Sequence, residues 1–437
     1  MSTPPGLADA TSKRSAFAIL FTTVFLDFLG FTIVLPYLFF YAQSLGGTPL
    51  EYGLLVTSYA IAQFAFTPLL GRFSDRYGRR RILLISLLGS GISYFVFGIG
   101  GSILLLFVAR FVGGAMGATV PVAQAYVADI TGGERKEERL RYMGLLSAAF
   151  GLGFIIGPAV GGILSSAYGY AVPSFVASAL ALSNLAVTYF RLPESRPTAG
   201  MGKRDEKGPT REPGTSWLTG LTARGTLGIL FLLYFTTVLA FEFLDVTLAP
   251  WLQEAFRYGS LQVGLIFLYV GVILVVTQAL LLPRFSKRLS PASLALIGLL
   301  IASASYLGLG VAPNVTAALA IGAVFSFGYA LVAPSLNTML SLSAGNDVQG
   351  SVMGVGQSLG SLAGVLAPAL AAAMFSFGSS VGIDGLAFIV AAGVNTLGIP
   401  LLLASSPSIG RRSLLASLQL GGASGPAGRD ASQRNQA

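Results

Sequence analysis

Long apolar stretches recur along the whole chain and are separated by short polar segments. A helix that rises 1.5 Å per residue needs about 20 residues to cross a hydrocarbon core of about 30 Å. The pattern therefore predicts an all-α membrane protein with twelve spans, numbered 1 to 12 in chain order. The predicted spans cover residues 16-42, 54-71, 82-101, 103-129, 140-165, 170-191, 225-252, 261-283, 291-312, 315-343, 351-377 and 381-405.

The second half of the chain repeats the first. LLGRFSDRYGRRRILLIS at 69-86 aligns with LLPRFSKRLSPASLALIG at 281-298, at an offset of 212 residues. Four further pairs keep nearly the same offset: LEYG at 50-53 with LQVG at 261-264, Pro121 with Pro334, Met143 with Met353, and Pro158 with Pro368. We therefore predict two pseudo-symmetric six-helix bundles. Parallel repeats of this kind place a substrate site near the midplane between the halves, and rocking of the halves alternates access to it.

The polar segments set the predicted domain boundaries. The two bundles cover residues 16-191 and 225-405, and a linker at 192-224 joins them. The linker is rich in Pro, Gly and charge and has no apolar period. Residues 1-15 form a polar N-terminus, and residues 406-437 form a tail that we expect to be disordered.

Composition excludes several kinds of chemistry. Only 10% of the residues are charged, and the chain has neither cysteine nor histidine. Disulfides and the usual zinc, haem and iron-sulfur ligands are therefore excluded, so proton chemistry must rest on carboxylates. No nucleophile constellation is recognisable. We expect neither an enzyme nor a metal or cofactor site.

The positions of the basic residues indicate how the chain is oriented in the membrane. Of the 27 Lys and Arg, 25 fall in the termini or in loops on one predicted side of the membrane. Lys and Arg are enriched on the cytoplasmic side of membrane proteins. The net charge of +9 therefore predicts cytoplasmic termini rather than a nucleic-acid partner.

The loop GRFSDRYGRRR between spans 2 and 3 carries a specific motif. Its residues follow the order Gly, three residues, Asp-Arg, one residue, Gly-Arg-Arg, at Gly71, Asp75, Arg76, Gly78, Arg79 and Arg80. With twelve spans in two parallel halves, residues 16 to 405 resemble the major facilitator superfamily. The resemblance implies a cytoplasmic gate in which Asp75 contacts the start of span 11 near residues 350-351, extended by Arg79 and Asp129. The second copy has Lys287 in place of Asp75, so we expect this gate only in the first half of the chain.

Three further motifs narrow the resemblance. ARFVGGAMGA at 109-118 places an intramembrane arginine, Arg110, in span 4, and Gly113 stands where a Gln is often found. FLDFLGFTIVLPYL at 25-38 resembles span 1 of tetracycline and multidrug efflux proteins. Asp27 matches the pattern of that span, whereas Tyr37 differs from it. The span 5 antiporter motif GFIIGPAVGG matches at Gly153, Gly157, Pro158, Gly161 and Gly162. These motifs imply a monomeric drug antiporter in the inner membrane of a prokaryote, driven by the proton gradient without a cofactor.

Four ionisable residues inside the spans are candidates for proton coupling. Asp27 lies about 16 Å into span 1 at 1.5 Å per residue, and Arg110 lies at a similar depth in span 4. Glu242 and Asp245 are three residues apart and share one face of span 7. Intramembrane ionisable groups are expensive and usually functional. Alternatively, Asp27 and Arg110 only hold helices together, or Asp245 is exposed to water near the outer end of span 7. Spacing does not say which acid pairs with Arg110.

Other side chains are candidates for the cavity or for packing. The span 5 glycines form a bare stripe that lets another helix approach, and Pro158 can bend the helix. The candidate acids outnumber Arg110, which favours cationic or neutral cargo. The candidate cavity residues are Phe28, Phe31, Tyr37, Gln63, Gln124, Phe241, Gln278, Asn337 and Gln357.

The leading hypothesis is proton-coupled export of small amphipathic compounds, with protons, a small-molecule substrate and the lipid bilayer as partners. A metabolite or sugar symporter or uniporter is the alternative within transport. A membrane enzyme and a non-transporting receptor are the alternatives outside it. The substrate itself is not given by the sequence.

Overall fold

A computed structural model describes residues 5-131, 136-195, 225-343 and 349-405. The described residues form helices, twelve of which are long and apolar enough to cross a membrane. The predicted fold class, all-α with twelve spans, is confirmed. The helices are span 1, Pro5–Ser44; span 2, Pro49–Tyr77; span 3, Arg79–Ile99; span 4, Ile103–Ala115 and Thr119–Thr131; span 5, Lys136–Tyr168; span 6, Ala171–Arg191; span 7, Gly225–Phe256; span 8, Ser260–Val276, a π-helical turn at Thr277–Leu281, and Leu282–Phe285; span 9, Pro291–Gly310; span 10, Val315–Ser343; span 11, Gln349–Ser380; and span 12, Leu386–Thr396 and Gly398–Ser405.

Span 12 is divided at Leu397, and two further spans that were predicted as continuous are interrupted. Span 4 breaks at residues 116-118, where the run GGAMGA supplies glycines that weaken a helix. Span 8 widens into a π-helical turn two residues before Pro283, which has no backbone N–H to donate to the preceding turn. Both interruptions had a sequence signal, but hydropathy does not distinguish a broken apolar run from an unbroken one.

Span 2 begins five residues before its predicted start. The Thr48 hydroxyl accepts a hydrogen bond from the Glu51 N–H at 3.2 Å, and the Glu51 carboxylate accepts one from the Thr48 N–H at 2.7 Å. This reciprocal capping box satisfies two backbone donors that would otherwise be unpaired at the helix end. Span 2 therefore extends beyond the apolar run into polar residues.

The glycine stripe of span 5 packs against span 1. The Thr32 hydroxyl of span 1 donates to the carbonyl oxygen of Gly153 at 2.9 Å. A Cβ on Gly157 would lie 2.9 Å from Thr32 Cβ, and one on Gly161 would lie 2.8 Å from the carbonyl carbon of Ile33. The two backbones are therefore closer than any side chain at these positions would allow.

The two halves touch through two equivalent helix crossings. Gly53 of span 2 meets Pro368 of span 11, where a Cβ on Gly53 would lie 2.6 Å from the Pro368 carbonyl oxygen. Gly264 of span 8 meets Pro158 of span 5, where a Cβ on Gly264 would lie 3.2 Å from the Pro158 carbonyl carbon. The four residues are landmarks of the sequence repeat. The repeat thus appears in the structure as a pseudo-two-fold pair of crossings.

These crossings lie at one end of the molecule. The end that carries the loops at 77-79 and 286-290 is called here the basic end, and the other is the opposite end. Gly53, Gly264 and Pro158 all lie in the half of their spans nearer the opposite end. Further links join the halves there, from Gln253 Nε2 to Gln43 Oε1 at 2.6 Å and from Ser165 Oγ to Ser260 Oγ at 2.7 Å. The opposite end is therefore closed.

Toward the basic end the same helices separate. A Cβ added to Gly71 of span 2, to Gly144 or Gly151 of span 5, or to Gly354 of span 11 would meet nothing within 4 Å. The interior between the halves is consequently open toward the basic end in this conformation.

Candidate functional site

Asp27 is half-buried and lies beside the break in span 4. The buried Thr119 hydroxyl, which begins the second helix of span 4, faces the Asp27 carboxylate. On the other side of the break, Gln63 Nε2 of span 2 donates to the carbonyl oxygen of Gly117 at 3.4 Å. Discontinuous helices leave backbone groups free near the centre of a transporter. Asp27 is thus placed against an irregular, polar part of an otherwise apolar bundle.

Arg110 is 4% exposed and is surrounded by aromatic rings. Its guanidinium carbon lies 4.3 Å from the centroid of the Tyr59 ring and 5.8 Å from that of Phe31. Among the described residues, no carboxylate forms an ion pair with Arg110, and its Nε has no hydrogen-bond partner. Neither Asp27 nor the span 7 acids pair with it here. Cation–π contacts hold the charge instead.

Glu242 and Asp245 lie together on one face of span 7, as their spacing predicts. Each is within electrostatic range of Tyr329 of span 10. Tyr52 of span 2 is within electrostatic range of both Asp245 and Arg110, so one phenol interacts with ionisable groups of both halves. Neither acid forms an ion pair within the described part of the chain. Span 7 therefore contributes two adjacent acids that no described Lys or Arg pairs with.

The aromatic cavity candidates have different environments. The Phe28 ring lies 3.6 Å from the Phe150 ring and 5.5 Å from the Phe31 ring, in a cluster of spans 1 and 5. Phe241 stacks on Tyr329 at 4.4 Å between centroids. Tyr37 has no solvent-exposed surface, and its hydroxyl hydrogen-bonds Ser174 Oγ at 2.7 Å. Tyr37 thus belongs to the packed core of its half and does not line the open interior.

Three amide candidates lie near the basic end. Gln124, Asn337 and Gln357 are all exposed, and each lies six to eight residues from that end of its helix. At 1.5 Å per residue they are about 9 to 12 Å from the end. Polar side chains inside a span are costly in lipid, so we assign these three amides to the interior between the halves. Gln278, the remaining amide, is half-buried in the π-helical turn of span 8.

A charge cluster lies at the basic end of the N-terminal half. The Arg79 guanidinium is almost fully buried and lies 2.7 Å from Asp75 Oδ1 and 3.0 Å from Asp129 Oδ2. It also donates to Ser74 Oγ at 2.7 Å. The structure therefore brings together three residues that were predicted to form the gate. The predicted contact of Asp75 with span 11 falls on residues 350-351, whose side chains lie outside the described part of the structure.

Sequence reasoning missed a further carboxylate in this cluster. Glu194 follows span 6, and its carboxylate accepts hydrogen bonds from the backbone N–H of Arg79 at 2.8 Å and of Arg80 at 3.4 Å. Ser195 Oγ donates to Asp129 Oδ2 at 3.1 Å. A carboxylate at a helix N-terminus accepts hydrogen bonds from the unpaired backbone N–H groups and interacts favourably with the positive end of the helix dipole. The tetrapeptide LPES was the available signal, and it ties the end of the first half to the start of span 3.

The remaining motif residues have separate contacts. Gly78 has φ +103°, a conformation that side chains disfavour, and Glu194 occupies the space beside its Cα. Arg80 donates to the Tyr189 carbonyl oxygen and lies over the Tyr189 ring, whereas Arg76 lies over Tyr77 at 5.4 Å. Arg76 and Arg80 therefore extend the basic surface rather than the buried cluster.

A pair of six-helix halves closed at one end, with acids at mid-depth in both halves, defines a multi-pass membrane transporter. The family model of the Major Facilitator Superfamily matches residues 20–368. The chain belongs to this family, and it is a transporter, not an enzyme.

Curated relatives of known name span nearly the whole chain. The chain is 32% identical over 403 residues to the tetracycline resistance protein, class C, of Escherichia coli, covering 89% of this chain and 97% of that protein. It is 28% identical over 367 residues to multidrug resistance protein 2 of Bacillus subtilis (strain 168), covering 83% and 89%.

Solved structures show the same fold. The human organic anion transporter MFSD10 (TETRAN) matches with a TM-score of 0.64 and 24% identity, over 92% of this chain and 100% of that one. A bacterial homolog of the human lysosomal transporter Spinster matches with a TM-score of 0.72 and 16% identity, over 95% and 99%.

Proposed function

We propose that this protein is a secondary active transporter that exports small amphipathic compounds in exchange for protons by alternating access. The observation that carries the proposal is the state of the three intramembrane acids. Asp27, Glu242 and Asp245 form no ion pair with any described Lys or Arg. A carboxylate held without a counter-ion at this depth is costly to ionise, so it binds either a proton or a cation.

Competition for the same acids accounts for exchange. With the interior open toward the basic end, cargo reaches the acids and displaces protons. After the halves rock, protons from the other side displace the cargo. The names of the relatives, tetracycline and multidrug resistance proteins, support export of drug-like compounds. We further propose that the basic end is cytoplasmic, that the membrane is the inner membrane of a prokaryote, and that the protein works as a monomer without a cofactor.

The charge cluster at the basic end belongs to this cycle. Arg79 joins the end of span 2, through Asp75, to the end of span 4, through Asp129. We propose that this rigid corner meets the start of span 11 when the basic end closes. It would then favour the conformation that is open at the opposite end.

The proposal is tested in proteoliposomes with an imposed pH gradient. Wild-type protein should exchange tetracycline, or a lipophilic cation such as ethidium, for protons. Asp27→Asn should abolish the dependence of flux on the pH gradient. Glu254→Gln neutralises an exposed acid at the end of span 7 and serves as the matched control. If flux and its pH dependence are unchanged in Asp27→Asn, the antiport mechanism fails, and a symporter or uniporter is favoured.

A further inference from the structure

A narrow slot enters the C-terminal half between spans 8 and 10. Tyr269 of span 8 is the exposed residue of its lining, so we take the end at Tyr269 as the mouth of the slot. There the Tyr269 hydroxyl donates to the carbonyl oxygen of Leu319 of span 10 at 3.4 Å. Its volume is about 60 Å³. Inside, apolar and aromatic side chains line it: Leu248, Trp251, Ile266, Phe267, Val270 and Phe325.

The mouth of the slot lies at the depth of the hydrocarbon. Tyr269 is nine residues into span 8, or about 14 Å along the helix. The side chains near it, Leu265, Val272 and Val324, are apolar and 44 to 52% exposed. A surface of this composition within a membrane span faces lipid. A compound dissolved in the bilayer therefore meets the slot without passing through water.

The lining of the slot includes one acidic side chain. This side chain is Asp245, which forms no ion pair with a described Lys or Arg. By contrast, the acids near the two ends of the bundle have partners, such as Arg79 for Asp129 and Ser379 for Glu254. An apolar slot that is lined by an uncompensated carboxylate is complementary to a molecule with an apolar chain and a cationic group.

Size limits what the slot can hold. Sites that bury a whole drug-sized ligand have volumes of roughly 300 to 1,000 Å³. A slot of about 60 Å³ holds only part of an alkyl chain or the edge of a ring, so the rest of the ligand lies outside it, in the bilayer or in the interior between the halves. Gly322 of span 10 lines the slot, and a Cβ there would meet nothing within 4 Å. A side chain at Gly322 would therefore start into the slot without a clash at its Cβ and would take up space there.

We propose that this slot receives the apolar chain of an amphipathic cation from the bilayer, with the cationic group at Asp245 and Tyr269 covering the entrance. The inference rests on the proposed function, because it names the substrate class and the entry route of the same transporter. It makes Tyr269 and Gly322 determinants of specificity.

Trp251 provides a direct readout, because it lines the slot and the other tryptophan, Trp217, lies in the linker. The probes are trimethylammonium salts that carry a terminally brominated alkyl chain, one with a propyl and one with a decyl chain. Bromine quenches tryptophan fluorescence at short range. In a Trp217→Phe protein reconstituted in lipid, the decyl probe should quench Trp251, and the propyl probe should not.

Two variants and one matched control test the assignment. Gly322→Leu should reduce quenching by the decyl probe to the level of the propyl probe. Gly393→Leu makes the same change at an exposed, uncontacted glycine of span 12 and should leave quenching unchanged. Asp245→Asn keeps the slot but removes the charge, and it should raise the probe concentration needed for half-maximal quenching at least tenfold.

Three results would overturn the inference. The first is equal quenching by the decyl probe in Gly322→Leu and Gly393→Leu. The second is a half-maximal probe concentration in Asp245→Asn that equals that of the protein with Asp245. Quenching by brominated phosphatidylcholine alone that Gly322→Leu abolishes would assign the slot to a lipid acyl chain. Proton-driven export without quenching in the slot defeats this inference alone. Quenching in the slot without proton-driven export defeats the proposed function alone.

Discussion

The contact between spans 1 and 5 allows a sharp test of the fold, because the glycine at position 161 leaves no room for a methyl group. In Gly161→Ala, the new Cβ would lie 2.8 Å from the carbonyl carbon of Ile33 and 3.1 Å from its Cα, and closer still to its carbonyl oxygen. Carbon atoms in contact are about 3.5 to 4.0 Å apart. Because all three neighbours are backbone atoms, span 1 must recede by about 1 Å.

The expected change in the free energy of unfolding follows from two opposing effects. Overpacking of this kind destabilises by about 1 to 3 kcal/mol, and a clash with backbone belongs at the upper end of that range. Ala also favours a helix over Gly by about 1 kcal/mol. Gly151→Ala in the same helix gains the second effect alone, since its Cβ would meet nothing within 4 Å. The helix gain is common to both variants and cancels, so their free energies of unfolding should differ by the overpacking cost, about 2 to 3 kcal/mol, a factor of roughly 30 to 150 in the folded-to-unfolded ratio.

Unfolding in detergent by titration with dodecyl sulfate, followed by circular dichroism, measures the difference. Gly161→Ala should unfold at a lower dodecyl sulfate fraction than wild type, and Gly151→Ala at the same or a higher fraction. If the two variants unfold together, spans 1 and 5 do not approach at Gly161, and the packing described above is wrong.

Two other predictions concern the ends of the bundle. Glu194→Ala removes the acceptor from the first N–H groups of span 3 and should destabilise by about 1 to 2 kcal/mol, with Glu194→Gln losing less in the same titration. Gly53→Ala and Gly264→Ala should each prevent closure of the opposite end, because each Cβ would strike the backbone across the halves. Since the chain has no native cysteine, cysteines at Gln43 and Gln253 with a bifunctional thiol reagent report closure. Cross-linking should fall in both glycine variants, and an unchanged yield would show that the crossings do not control closure.

Much of the architecture could be predicted from the sequence, because a bilayer imposes a length and a polarity on each span. The twelve spans, the repeat and the family followed from apolar runs and spaced motifs. The span 5 stripe predicted a close helix contact, and the structure identified its partner as span 1. The break in span 4 was missed, because hydropathy averages over the few residues that interrupt a helix.

The sequence predicted which residues belong to the candidate site, but not which contacts they make. The sequence placed Asp27 and Arg110 at similar depths and left their pairing open. In the structure Arg110 is held by Tyr59 and Phe31, two rings that no charge-based argument would have chosen. Tyr37 was predicted as one of the aromatic cavity residues, but in the structure it is fully buried in the core of its half.

The sequence by itself determined that this chain crosses a membrane in two repeated halves, since the cost of leaving backbone polar groups in hydrocarbon allows little else for apolar runs of this length. It also determined which residues carry charge at mid-depth. Only the tertiary structure decided what those residues touch. The meeting of Gly53 with Pro368 and of Gly264 with Pro158 depends on how one half is rotated against the other. So does the slot that Asp245 lines, since it exists only where spans 8 and 10 leave a gap.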